Sequence, residues 1–530
     1  MLRKNIYSIH RTLSLIIAIP VLLWAASGFM HPIMTNIRPR IATQILQPIP
    51  VDQTKITISL KDALLKNNIQ QIHSFRFVHI DTNWFYQVQI KPNIAPLYFS
   101  TQSGKPLVNG DELYAQYLAI QFLNGEKDEN KAKKDDRGVD SRSAFDTSSV
   151  HDCCAAAQNC ISKSIAACKI SSITPVNSFN NEYKSINRLL PVYKITFERA
   201  DGIRVYVETT NDRFAYAVDN KRAFFDKIFS VFHNWSWMDR LGNAKYILMA
   251  LLLALTIATS LMGIYIFFIT KTKNPKGNDL LKARRNHRWT SIVFSLFTLM
   301  FAFSGAFHAI EKLKTDTRYQ YFTSLSIDAD SLSLDVFRLG EIVKTKLYNV
   351  SVVKLGKEYY WQVFTKDNNP SKQKPSQGRD MMKGKQVIAP KVFYINTSSN
   401  SLLPEGEKLY AQQLALAFSG NVASQITSSE LITKFEGEYG FVNKRLPVWK
   451  IGFSTNNNER YYVETSTGNL SVRIDDNDLY EGYSFAILHK HHFMDFAGKV
   501  GRDISTMFWA MGQIAMVVVG LVLWRRSLKI

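Results

Sequence analysis

The sequence predicts a membrane protein of α+β class: four transmembrane helices from a tandem duplication (2+2), with two large helix-plus-antiparallel-sheet domains outside the membrane. Three observations carry that expectation. Four apolar runs, 12–34, 246–269, 289–311 and 504–524, each approach the ~20 residues that a spanning helix needs. Long, more polar segments, 35–245 and 312–503, separate the first run from the second and the third from the fourth. Finally, a series of motifs recurs in the same order in both halves of the 530 residues.

The first apolar run opens with His10-Arg11 and closes with Ser27-Gly28-Phe29-Met30-His31; the third opens with His287-Arg288 and closes with Ser304-Gly305-Ala306-Phe307-His308. In each, 21 residues separate the histidines. At about 1.5 Å per helical residue this is roughly 31 Å, near the ~30 Å hydrocarbon thickness, so one imidazole is expected at each membrane face. Arg3, Lys4 and the Ala-Ala-Ser before Gly28 imitate a cleaved signal peptide. The third run repeats the pattern in mid-chain, so the first reads as a retained anchor.

The short segments 1–11, 270–288 and 525–530 hold thirteen Lys and Arg against one acid, Asp279. The positive-inside bias puts them, and both termini, in the cytoplasm. Most of the formal +21 charge therefore belongs to membrane topology, and a nucleic-acid partner is not expected.

The repeat continues outside the membrane. Leu113-Tyr114-Ala115-Gln116 returns as Leu409-Tyr410-Ala411-Gln412, and Leu190-Pro191-Val192-Tyr193-Lys194-Ile195 as Leu446-Pro447-Val448-Trp449-Lys450-Ile451. Tyr206-Val207-Glu208-Thr209 returns as Tyr462-Val463-Glu464-Thr465, and His233 as His489. The offset is 277 at His10/His287, 296 at Tyr114/Tyr410 and 256 from Pro191/Pro447 onward. An insert in the first half, about 126–180, accounts for the fall and holds Cys153, Cys154, Cys160 and Cys168. Residues 59–65 read as an amphipathic helix, while 76–80, 84–90, 192–197 and 204–208 alternate as strands do.

This order of His-Arg…Ser-Gly…His helix, outer module, Pro-Val-Tyr-Lys-Ile…Tyr-Val-Glu-Thr strand pair, His-bearing stretch and second spanning helix resembles the PepSY-associated transmembrane family. That family includes iron-regulated inner-membrane proteins of the ferric-siderophore reductase type. The resemblance covers nearly the whole chain apart from the insert. It implies a bacterial inner-membrane protein in which a four-helix bundle holds b-type haem. Two periplasmic PepSY-like domains would receive a ferric-siderophore or similar chelate, whose iron is released on reduction.

Histidines at membrane depth are costly and tend to be functional, and neutral imidazole is an axial ligand for haem iron. With both halves oriented alike, a pseudo-two-fold axis along the membrane normal pairs His10 with His287 and His31 with His308, giving two haems. His233 and His489 are alternative or additional outer ligands. Arg11 and Arg288 are candidates for haem propionates, and Gly28 and Gly305 for packing against a porphyrin edge. The four cysteines are expected to form disulfides, and no Cys-x-x-Cys-His is present for covalent haem. No Gly-rich dinucleotide fingerprint follows a strand, so no nicotinamide or flavin site is expected, and a separate donor, quinol or a cytoplasmic reductase, must supply electrons. Two rival readings are a haem-free periplasmic ligand-binding or peptidase-regulating protein and a component of iron-chelate transport.

Overall fold

The computed structural model describes residues 2–92, 94–124, 169–271, 274–313, 326–366 and 389–528. The four cysteines and the expectation of disulfides lie outside them. The chain divides into two compact units, one made of Met1–Arg38, Lys221–Asp316 and Asp475–Ile530, the other of Pro39–Asn220 and Thr317–Ile474.

The first unit is helical: α1 (Leu2–Asn36), α2 (Asn220–Phe232), α3 (Asn243–Ile269), α4 (Asp279–Glu311), α5 (Asp476–Ser484) and α6 (Gly498–Ser527). Among the described residues α1, α3, α4 and α6 are long and apolar enough to cross a membrane. They outrun the apolar segments because polar turns continue the same helices; Asn278, for example, caps α4 by accepting from the Leu281 N–H. Buried hydroxyls inside these helices turn back on their own backbone, Thr256 to Leu252 O at 2.8 Å and Thr298 to Phe294 O at 2.9 Å. That satisfies them without water. α1 packs along α3 and α6, as does α4, so α1 and α4 stand at opposite corners of the bundle.

α2 and α5 each lead back into a spanning helix through a 3-10 turn, Ser236–Leu241 and His492–Ala497. Each turn is entered by a left-handed residue, Trp235 at φ 50° and His491 at φ 54°. The second approach differs in one respect: α5 runs on into a π-helical turn, Phe485–His489.

The second unit is built from sheets. Residues 39–220 contribute a helix Leu60–Lys66 capped by Ser59, the sheet Ser74–Ile80, Asn83–Gln89, Leu97–Ser100, a helix Gly110–Asn124, and the sheet Ile170–Val176, Val192–Phe197, Arg204–Glu208, Arg213–Val218. Residues 317–474 follow a similar order, with a helix Val336–Val343, a sheet from Leu347 to Leu403, a helix Gly406–Ser419 and the sheet Ile426–Ile432, Val448–Phe453, Arg460–Glu464, Asn469–Ile474. All pairings are antiparallel, and the last sheet of each half carries an irregularity at a matched point, Tyr206/Val207 and Tyr462/Val463.

The two halves share one core, in which Phe75, Phe77, Trp84 and Tyr86 pack with Ile327, Leu339, Val350, Trp361 and Ile395. Gln71–Ile72 pairs with Ile327–Asp328 across the halves. Asn349 binds both backbone groups of Phe77, accepting from N at 2.9 Å and donating to O at 3.2 Å. A buried charge square closes the join: Arg445 donates to Glu464 at 2.7 Å and to Glu208 at 3.0 Å, and Arg213 pairs with the same two carboxylates.

Candidate functional site

The bundle carries histidines toward both of its ends. At the end that bears the chain termini, His10 of α1 lies against α3, with Nδ1 3.2 Å from Thr259 O. A Cβ at Gly263 would come within 3.3 Å of its Cε1. His287 of α4 is seated in the same way on α6: a Cβ at Gly520 would come within 3.2 Å of its Cε1, and its Nδ1 is 3.4 Å from Ser291 Oγ. Each imidazole therefore packs closely over a glycine of the neighbouring helix, where a Cβ would be a tight fit. Arg11 is exposed. Arg288 is engaged at the C-terminus of α3, donating to Phe267 O at 2.7 Å and Thr270 Oγ1 at 3.2 Å, where helical carbonyls lack partners.

At the other end six rings form a row. His31 lies 5.1 Å from Phe229, Phe229 stacks 4.6 Å from His233, and His233 meets His489 edge-on at 6.0 Å. His489 stacks 4.9 Å from Phe485, which stacks 5.1 Å from His308. The row reads the same from either end, and its centre falls between His233 and His489. The i, i+4 spacing on one helix face brings Phe229 to His233 and Phe485 to His489. Burial, followed by the charge of Lys490, lowers His233 to about 4. His489 is pushed well below the usual histidine value, again by burial first. Both imidazoles are neutral at pH 7 and keep a lone pair for a metal.

The surroundings of the row are not symmetric. Ser27 Oγ is 3.0 Å from His233 Nδ1, and Trp24 donates to His233 O at 3.2 Å while stacking on Trp235 at 5.1 Å. At the matched positions Ser304 Oγ and His489 Nδ1 are buried without a hydrogen-bond partner, and Phe301 stacks on His491 at 5.1 Å. His491 is fully buried, with Nδ1 3.0 Å from Ser505 Oγ. His308 Nδ1 is 2.6 Å from Glu481 Oε1, whereas His31 faces the ammonium of Lys490 at 3.2 Å from Nε2.

These donors suit haem. A ligating histidine usually spends its second ring nitrogen on a hydrogen bond; His10, His287 and His233 have Nδ1 so engaged, as has His308, whereas Nδ1 of His489 has no partner. His233 and His489 stand 6.0 Å apart. The described residues contain no group of three or more His, Cys, Asp or Glu for a bare metal ion.

Gly305 packs on Leu253 Cδ1, 3.3 Å from where its Cβ would be, and Gly28 has no neighbour there. His79 belongs to the other unit, 5.1 Å from Trp84. Reasoning on the sequence missed Gly263, Gly520, Glu481 and Lys490. Only the glycines left a trace in the repeat, since 257 positions separate them, within one residue of the local offset.

A protein-family model described as the PepSY-associated TM region matches residues 172–527. None of the curated proteins matches the chain.

Proposed function

The chain belongs to the PepSY-associated transmembrane family, and from that premise we propose that it is a haem-b electron-transfer protein of the bacterial inner membrane that reduces a ferric siderophore or similar chelate. In this reading the chain is a tandem duplication, its termini and the 270–288 loop are cytoplasmic, and its sheet-built unit is periplasmic. The thirteen basic residues of the short segments support that orientation.

His10 and His287 hold one haem near the cytoplasmic end, and His233 and His489 hold the other. When bound, haem supplies a one-electron iron couple whose potential follows its axial ligands and surroundings. Thr259, Ser291 and Ser27 fix the orientation of three of those imidazoles, and Gly263 and Gly520 give the inner pair its room. The observation that carries the reading is the neutral, buried His233/His489 pair at 6.0 Å in the middle of a row of rings. His31 and His308 flank that pair without entering it. A separate donor, quinol or a cytoplasmic reductase, delivers the electrons, and reduction to ferrous iron weakens the hold of hard oxygen ligands on the metal.

The test is the absorption spectrum of protein purified from haem-replete cells, with a pyridine extract to count haems. Two b-type haems are expected. His10→Ala and His233→Ala should each remove one, while His31→Ala should retain both. A colourless wild-type preparation would reject the proposal.

A further inference from the structure

We propose that Lys490 is a fixed cation that makes the outer histidine pair the favoured resting place of an electron, so that transfer runs downhill from the His10/His287 end; this rests on the haem reading above. Lys490 directly follows His489. Its ammonium lies 3.2 Å from His31 Nε2, 3.4 Å from His31 Nδ1 and 5.5 Å from the centroid of Phe485. Phe485 is the ring stacked on His489, and His31 begins the half of the row that leads to His233. One charge thus touches both arms of the row.

Among the described residues Lys490 forms no salt bridge. Burial lowers its ammonium to about 8, which leaves it charged at pH 7, and Arg502 and Asp503 act on it with opposite signs. The matched position in the first half is Asn234, and the other cations that act on His31, Arg222 and Lys499, are each paired with a carboxylate, Asp226 and Asp503. Glu481, an acid of this region, is bonded to His308 at the end of the row, one ring beyond Phe485. At the opposite end of the bundle Arg11 is exposed, and Arg288 is taken up by the carbonyl end of α3.

A cation held away from water acts on a neighbouring charge several times more strongly than a solvated one, which salt also screens. Positive charge stabilises the redox state that carries one electron more. Lys490 therefore favours reduction at the His233/His489 pair over reduction at the His10/His287 pair. The proposal concerns where one electron rests, with no bond made or broken. The electron comes from the separate donor and leaves to the ferric chelate.

The experiment is an anaerobic spectroelectrochemical titration of the full-length, haem-loaded protein, with the outer component identified by its loss in His233→Ala. In Lys490→Met the outer component should be harder to reduce: held at the wild-type midpoint, its ratio of reduced to oxidised form falls about tenfold, equivalent to about 59 mV for one electron. The inner component should not move. Lys490→Arg should keep the wild-type value, and Asn234→Lys should shift the outer component the other way.

Unchanged midpoints in Lys490→Met would overturn the proposal. So would equal shifts in the Met and Arg variants, which would mean that packing rather than charge is at work. Should Lys490→Met lose its outer haem, Asn234→Lys decides, and no upward shift there is fatal. A wild type without haem sinks the underlying reading, whereas a loaded wild type indifferent to Lys490 sinks this one alone.

Discussion

Replacing Arg445 by methionine should destabilise the sheet-built unit by about 3–5 kcal/mol, the range for breaking a buried ion pair from one side. Side-chain exposure is 7% for Arg445, 2% for Glu208 and 1% for Glu464. Without Arg445, two buried carboxylates share the charge of Arg213, with only the neutral donors Asn211 and Thr467 still on Glu464 among the described residues. Burial by itself would raise the Glu464 carboxyl, but Arg213 and Arg445 override it and hold the group at about 2, against an ordinary value of 4.5. A depression of that size corresponds to about 3 kcal/mol, in line with the range above.

The sign follows from the direction of the shift. A carboxyl lowered in the folded state contributes stability that is fully present above about pH 4.5 and is lost as the pH falls toward 2. In Arg445→Met one carboxylate can relieve the imbalance by taking a proton, so the deficit should be largest at neutral pH and shrink on acidification. Thermal unfolding of the purified full-length protein should show a midpoint lower by on the order of 5–10 °C. Hydrogen exchange should locate the loss in the strands Arg204–Glu208 and Arg460–Glu464. Unchanged protection there, or a deficit that grows as the pH falls, would refute the reasoning.

Gly263→Val should displace His10 and remove the inner haem while leaving the outer one, and Gly520→Val should do the same through His287; a pyridine extract that still counts two haems in both would be the contrary result. Asn349→Ala strands the N–H and C=O of Phe77 and should cost about 1–3 kcal/mol in chemical denaturation; no change would mean that other groups take over both bonds. Gly406→Ala would bring a Cβ to 2.5 Å from the Tyr394 Cβ and push that ring off Gln362, to which it is bonded at 2.8 Å. A loss of about 1–3 kcal/mol is expected, and a neutral effect would show that the helix can shift instead.

Helix class and strand positions were legible because they follow from local patterns. Apolar runs marked α1, α3, α4 and α6, and alternation marked Val192–Phe197 and Arg204–Glu208. The polar ends of the helices were not, since Asp279 to Arg288 looks like a basic loop until the Asn278 cap is known to start α4 there. The histidines stood out through repetition, but their grouping did not. The 6.0 Å meeting of His233 with His489 depends on how α2 and the turn after α5 return to the bundle. Gly263 and Gly520 look like any small residues of a spanning helix, and only the imidazoles across from them give them meaning. Lys490 and Glu481 belong to no motif, and their roles come from His31 and His308, hundreds of positions away. The place of Arg288 beside His287 suggests a propionate, but no local pattern announces its bonds to Phe267 O and Thr270 Oγ1 at the end of α3.

The core shared by residues 39–220 and 317–474 has a consequence for biosynthesis. Phe75, Trp84 and Tyr86 emerge from the ribosome long before Trp361 and Ile395, with the helices α3 and α4 in between. At about 5–20 residues per second, the interval from residue 220 to Ile395, the last residue of the shared core, is roughly 9–35 s. For that time the first half carries an apolar face whose partner has not yet been made. A chaperone on the side where this unit folds, or a pause in elongation, would act in that window, and truncations ending within it should be degraded rather than accumulate as half-molecules.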